Sequence, residues 1–348
     1  MAQTQRSAAS LLAPGKGVLV ADEYVGAMLE SGGVQRSVRT LDQYVDLALA
    51  TPRLTDWVSG VLLTADTFSA VARPGATAEG HARDIQLGVR MDIGLARPQA
   101  GFDAARTQLA GVREAGATFV EWRANLDLTQ VAPGSSHVDA EALALGAAAA
   151  QGEQILPLLT IAMPDLASHT AAVSQAVTGN ALEELFAQLA RSGIDTSAVL
   201  LRLNMVVAGD RNPEQATPED VARATLAVIS QSVPADVPGI LFLSGRQQLD
   251  QACANLAAIA SLARELDHPA RFTFGFARTL VAGSLAAWRD DADHADHADH
   301  ADDAAVQQAL ADSCALAAQS SAVPGPSSSA PPPSAPPSVS SSVPASST

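Results

Sequence analysis

The chain of 348 residues is 47% hydrophobic and 4% aromatic, enough apolar material for one large domain or two medium ones, folded as a soluble globule. Its 37 acidic residues against 21 basic ones give a net charge of -16, which opposes nonspecific binding to nucleic acid or anionic lipid. No apolar run approaches bilayer length, so neither a nucleic-acid nor a membrane partner is expected.

Seven of the acids lie in the run "DDADHADHADHADD", Asp290 to Asp303, and without it the charge is -9. Cys253 and Cys314 are too few and too far apart for a disulfide framework and fit a reducing interior. The opening "MAQTQRSAASLLAPGKG" has no apolar segment of signal-peptide type, and a cytoplasmic location is expected. Lys16 is the only lysine, whereas arginine occurs 20 times. Any chemistry that needs a primary side-chain amine therefore has one candidate.

In chain order, short β-prone runs each precede a longer helix-compatible stretch. They are "GVLVADE" from Gly17, "SGVLLTAD" from Ser59, "IQLGVRMD" from Ile85 and "ATFVEWRA" from Ala117. "ILPLLTIA" from Ile155, "AVLLRLNM" from Ala198, "GILFLSG" from Gly239 and "RFTFGFAR" from Arg271 complete the set. Eight such units predict an α/β protein with parallel buried strands, and eight is the count that closes a (β/α)8 TIM barrel. A doubly wound open sheet is the competing architecture. Several runs end in a polar residue where a strand would reach the catalytic face of a barrel, as at Asp22, Arg90, Arg123, Ser244 and Arg278, which favours the barrel.

The expected divisions are a barrel over 1–289, the acidic Asp/His/Ala repeat over 290–303, a C-terminal helix over 304–320 and a disordered tail over 321–348. Ser and Pro supply 19 of the last 28 residues and cannot bury a core. The repeat places His294, His297 and His300 at period three, a conceivable weak metal site, but a solvated acidic loop is the reading preferred.

Several of these strand ends carry a resemblance. "LLAPGKGVLVADE" is similar to the opening strand of class I fructose-bisphosphate aldolase, "VPADVPGILFLSG" to its seventh strand and "FTFGFARTLVAGSLAAW" to its eighth. "LLRLNM" matches the family's L-L-K-P-N-M, and "FVEWR" its F-x-K-W-R. The resemblance runs from about Leu11 to Trp288. It implies a (β/α)8 barrel, a homotetramer, a sugar-phosphate substrate, no cofactor and no metal. The implied reaction is reversible cleavage of fructose 1,6-bisphosphate through an imine between a lysine and the substrate carbonyl.

Each chemical part of that reaction has a position here. The imine lysine falls on Arg202, whose guanidinium stays protonated and is a poor nucleophile. The second lysine falls on Glu121, and the paired glutamates E-P-E fall on Thr160, Ile161 and Ala162. Asp22, Arg123 and Arg90 keep the family's charges. Ser244, Gly245 and Arg278 match its phosphate contacts after strands seven and eight, where barrels often cradle phosphate. That corner is altered: "SGRQQ" puts Arg246 at a glycine, and "GFAR" puts Gly275 at a serine and Ala277 at a glycine, a strain of about 1 kcal/mol if either lost glycine needed positive φ. The basic residues expected after the first strand read Glu30 and Ser31, so the second phosphate site is expected to be lost.

Lys16 lies six residues before Asp22, about 20 Å from the catalytic face at strand spacing, and is expected to be a surface charge at the opposite end. Arg202 is expected to be fixed by Glu121 or Asp22, because an unpaired arginine there is costly. The bland alternative is that arginine simply replaces lysine throughout this chain. It leaves Glu121, Thr160 and Ala162 unexplained. The preferred expectation is a non-catalytic aldolase relative that keeps one phosphate contact; the runner-up is a working aldolase with an unidentified mechanism. A metal-dependent aldolase is disfavoured because His81, His137 and His169 do not form a strand-end cluster.

Overall fold

The computed structural model describes residues 2–21, 23–31, 38–72, 84–91, 99–126, 138–164, 168–292 and 303–322. Eight strands form one sheet in sequential order: β1 (Gly17–Ala21), β2 (Val58–Leu63), β3 (Gln86–Met91), β4 (Phe119–Asn125), β5 (Leu156–Ala162), β6 (Leu200–Asn204), β7 (Gly239–Leu243) and β8 (Arg271–Phe274). Every adjacent pair is parallel. Just past β8, the Phe276 carbonyl accepts a hydrogen bond from the Val20 amide of β1 at 3.1 Å, so the last strand returns to the first. A doubly wound sheet would reverse strand order part-way. This chain does not, and the architecture is the expected barrel with helices in the connections.

Two apolar layers follow from strand alternation. One row points into the barrel: Val18 and Val20, Leu62, Phe119, Leu156 and Leu158, Leu200 and Leu241 pack as a single buried cluster. The other row packs outward against the helices, with Trp122, Leu159, Leu201 and Phe242 among its fully buried members. Gly88 faces the Phe119 ring so closely that a Cβ would sit 2.2 Å from it, so the interior row has no space for a larger side chain there.

A helix that the sequence reading did not anticipate, Ala2–Leu11, covers the lower end of the barrel. Ala8 and Leu11 join the interior cluster, and Ser59 Oγ donates to the Leu11 carbonyl at 2.7 Å, satisfying one of the orphan acceptors at that helix end. At the other end of the chain the helix Asp303–Ser321 packs on the helices Leu249–Glu265 and Arg278–Ala292, burying Leu310, Cys314 and Ala317. The 293–302 portion of the acidic repeat, with His294, His297 and His300, and the tail beyond 322 lie outside the described residues.

Candidate functional site

The interior row continues upward into charged residues. Glu121 follows Phe119 by two positions, Thr160 follows Leu158 and Arg202 follows Leu200, so each side chain points inward at the carboxyl end of its strand. Register brings them together, since Arg90 of β3 pairs with Glu121 of β4 and Thr160 of β5 pairs with Arg202 of β6.

Glu121 is the centre of the cluster and is 0% exposed. Its Oε2 accepts from Arg90 Nε at 2.6 Å, and its Oε1 accepts from Arg202 Nη1 at 2.7 Å and from Thr160 Oγ1 at 2.6 Å. Burial alone would push this carboxyl up, but Arg90 and Arg202 outweigh it with help from the Thr160 hydroxyl and Arg123, leaving a pKa of about 2. Arg202 is 1% exposed and spends its Nε on the Gly275 carbonyl at 2.9 Å. Of the two partners expected for Arg202, Glu121 is the one observed. Asp22 lies outside the described residues.

Gly275 explains its own departure from the family pattern. A Cβ there would lie 3.1 Å from Arg202 Nε and 3.1 Å from Leu241 Cβ. The position that reads serine in the resemblance is thus occupied by the residue that leaves room for a guanidinium. No property of either residue alone reveals this, because they stand 73 positions apart.

Beside the cluster lies a small cleft of about 30 Å³, lined by Arg123, Ala162, Arg202, Ser244, Gly245 and Arg278 among others. Gly245 adopts φ +60°, and Arg278 Nη2 donates to its carbonyl at 3.0 Å, tying the ends of β7 and β8 together. Arg123 Nε donates to Asn125 Oδ1 at 3.2 Å. The expected backbone strain does not arise: Arg246 and Ala277 are absent from the positive-φ residues, so neither replaced glycine is held in the left-handed region. Arg246 instead pairs with Asp210 at 2.8 Å and faces a neighbouring cavity.

Lys16 sits below the barrel, where its Nζ donates to the Thr55 carbonyl at 2.5 Å. It is a half-buried anchor at the end of the barrel opposite the charged cluster. His81 and His137 lie outside the described residues, as do residues 32–37 that follow Glu30 and Ser31. Among the described residues no group of three or more His, Cys, Asp or Glu side chains could hold a metal ion, and no helix is long and apolar enough to cross a membrane.

Sequence reasoning missed the neighbouring cavity, of about 330 Å³, which opens off the barrel axis between the loops after β5, β6 and β7. Gln251 donates to Asn255, Asn255 to Gln247, and Gln247 to the Ser244 carbonyl, a chain of amides along one wall. The amides of that wall, Gln247, Gln251 and Asn255, recur every four residues, on one face of the Leu249–Glu265 helix and the residue before its N-cap Gln248. The opposite wall includes His169 and Ser174, placed by the loop after β5 and by the first turns of the helix Ala171–Arg191.

With the barrel and its mouth in place, the relatives can be compared. The family model for fructose-bisphosphate aldolase class-I matches residues 3–329. Human fructose-bisphosphate aldolase C is 31% identical over 301 residues, 82% of this chain and 82% of its own length. Fructose-bisphosphate aldolase of Drosophila melanogaster is 31% identical over 297 residues, 81% of each. A solved structure of fructose-bisphosphate aldolase from Plasmodium falciparum superposes with a TM-score of 0.78 at 23% identity, covering 92% of this chain and 94% of that one, and so shares the fold. By the match of the family model over most of its length and by these relatives, the chain belongs to the class I fructose-bisphosphate aldolase family.

Proposed function

We propose that this chain is a non-catalytic member of its family: it keeps the barrel and one cationic corner for a triose phosphate, and does no imine chemistry. The observation that carries the reading is the buried Arg90–Glu121–Arg202 cluster. Imine formation needs an amine that is nucleophilic when unprotonated, and a guanidinium remains charged throughout the useful pH range. Proton transfer needs a group whose pKa lies near the working pH, and a carboxylate held at about 2 is a weak proton acceptor. Thr160 and Ala162, which stand where the resemblance expects carboxylates, supply neither acid nor base. Glu121 is fully committed to its three partners.

The corner formed by Ser244, Gly245, Arg123 and Arg278 supports the binding half of the proposal. A phosphate at its mouth would meet the positive-φ turn at Gly245 and two guanidiniums. The corner offers cationic contacts for one phosphate, so a triose carrying a single phosphate, dihydroxyacetone phosphate, is the ligand class proposed. The proposal includes a cytoplasmic protein assembled as a homotetramer, which light scattering on purified material checks.

Borohydride reduction in the presence of dihydroxyacetone phosphate, followed by intact-mass measurement, tests the reading directly. No added mass is expected, together with no turnover in a coupled cleavage assay, whereas a reduced adduct or turnover would overturn it. Dihydroxyacetone phosphate is expected to raise the melting temperature in a salt-sensitive way, and Arg278→Ala to abolish that shift. No shift in the parent protein would retire the binding half alone.

A further inference from the structure

The off-axis cavity holds two polar atoms that the fold leaves unused. Ser174 is 1% exposed, and its Oγ has no hydrogen-bond partner. His169 engages the Val207 backbone while its Nδ1, also buried, has none. Buried hydroxyls and imidazole nitrogens in folded proteins are nearly always satisfied, so two orphans on one cavity wall mark a place where something else supplies the partner. Both line the same space of about 330 Å³, which is at the small end of ligand pockets.

The electrostatics narrow the chemistry. Burial holds the His169 imidazole below its ordinary value, so the ring is uncharged at neutral pH and Nδ1 accepts. Among the described residues, the one guanidinium on the wall, Arg246, is neutralised by Asp210 at 2.8 Å. The other polar lining is carboxamide and the Ser244 hydroxyl, and apolar surface comes from Met163, Met205 and Val221. An anion would find no spare positive charge here. A chain of C–OH groups would find acceptors, a hydroxyl and apolar surface for its carbon face.

We infer that this cavity is a binding site for a small uncharged polyhydroxy compound, a polyol or free sugar, with one ligand hydroxyl donating to His169 Nδ1 and another group bonding Ser174 Oγ. The site adjoins the axial corner across a shared wall of Met163, Asn204, Ser244 and Gly245, while His169 and Ser174 line the off-axis side and Arg123 and Arg278 the axial side. Its test therefore does not depend on the proposed function. The two sites call for opposite ligands: an anion on the axis and a neutral polyol beside it.

Saturation-transfer NMR with erythritol, xylitol and glucose on the full-length protein reads the binding. Transfer to at least one of them is expected in the parent, and about tenfold weaker affinity in Ser174→Ala and in His169→Leu. Ser174→Ala should fold with an undiminished melting temperature, because its hydroxyl bonds nothing in the protein. Inorganic phosphate should not compete. The inference is overturned by absence of transfer in the parent, which would leave the cavity to water. Equal affinity in Ser174→Ala and the parent, or displacement by phosphate together with loss in Arg278→Ala, would overturn it too, by putting the ligand elsewhere.

Discussion

Glu121 carries more of the barrel mouth than any other described side chain, because it meets two guanidiniums, the part-buried Arg90 and the fully buried Arg202. Replacing it with glutamine keeps the shape and one acceptor oxygen but removes the negative charge that Arg90 and Arg202 both meet. Breaking a buried pair in this way typically costs about 3–5 kcal/mol, far more than the pair's own net worth. Glu121→Gln is therefore expected to lower unfolding stability by about that amount in urea titrations at neutral pH, and a loss under about 1 kcal/mol would mean that water already reaches the cluster. Arg202→Lys is the complementary change. It supplies an amine, yet that amine sits against an ionised Glu121 that holds its proton on, and Thr160 and Ala162 still provide no acid or base. The expected outcome is a folded protein with no fructose 1,6-bisphosphate cleavage, and turnover by this single variant would defeat the chemical argument.

At the level of elements, β6 and β8 have changed together, with the larger side chain of Arg202 meeting the missing one at Gly275. Gly275→Ser is expected to destabilise the parent by about 1–3 kcal/mol through overpacking, and to cost clearly less in an Arg202→Lys background. A double-mutant cycle measures the difference, and a coupling energy near zero would show that the two substitutions are independent. This pairing also marks where the sequence stops being readable. The eight strands were legible because buried parallel strands are short apolar runs, from "GVLVADE" at Gly17 to "RFTFGFAR" at Arg271, and each run begins within two residues of the start of its observed strand. The charged rim was legible because it falls two residues past interior apolar positions and coincides with the motifs around Arg202 and Glu121. The helix Ala2–Leu11 was not, since "AQTQRSAASL" is mostly small and polar and declares itself only when Ala8 and Leu11 meet the barrel floor. The off-axis cavity was not either, because its walls come from loops and helices far apart in sequence and its amides are common surface residues.

For the molecule as a whole, buried ionisable groups predict how stability depends on pH. Burial depresses the His169 and His268 imidazoles below 6.5, so the unfolded chain binds those protons first, and stability present above 6.5 declines as pH falls below it. Glu121 has the same sign at lower pH: folded near 2 against 4.5 unfolded, it contributes fully above about 4.5 and loses its contribution progressively toward 2. The alkaline limb has the opposite origin. Burial pushes the Cys314 thiol up to about 12 from 9, and raises Cys253 and the Tyr44 phenol, whose oxygen bonds Ser284 at 2.7 Å. These groups ionise more readily in the unfolded chain, so their contribution is present below about 9 and declines above it. Urea midpoints are therefore expected to form a plateau between about pH 6.5 and 9 with two falling limbs. The limbs should respond to different residues: Cys314→Ala flattens the alkaline side, while Glu121→Gln lowers the plateau and flattens the acid side below about pH 4.5. A stability that stayed level through pH 10 in the parent would show that the thiols and the phenol titrate freely, against the burial found for Cys314 and Tyr44.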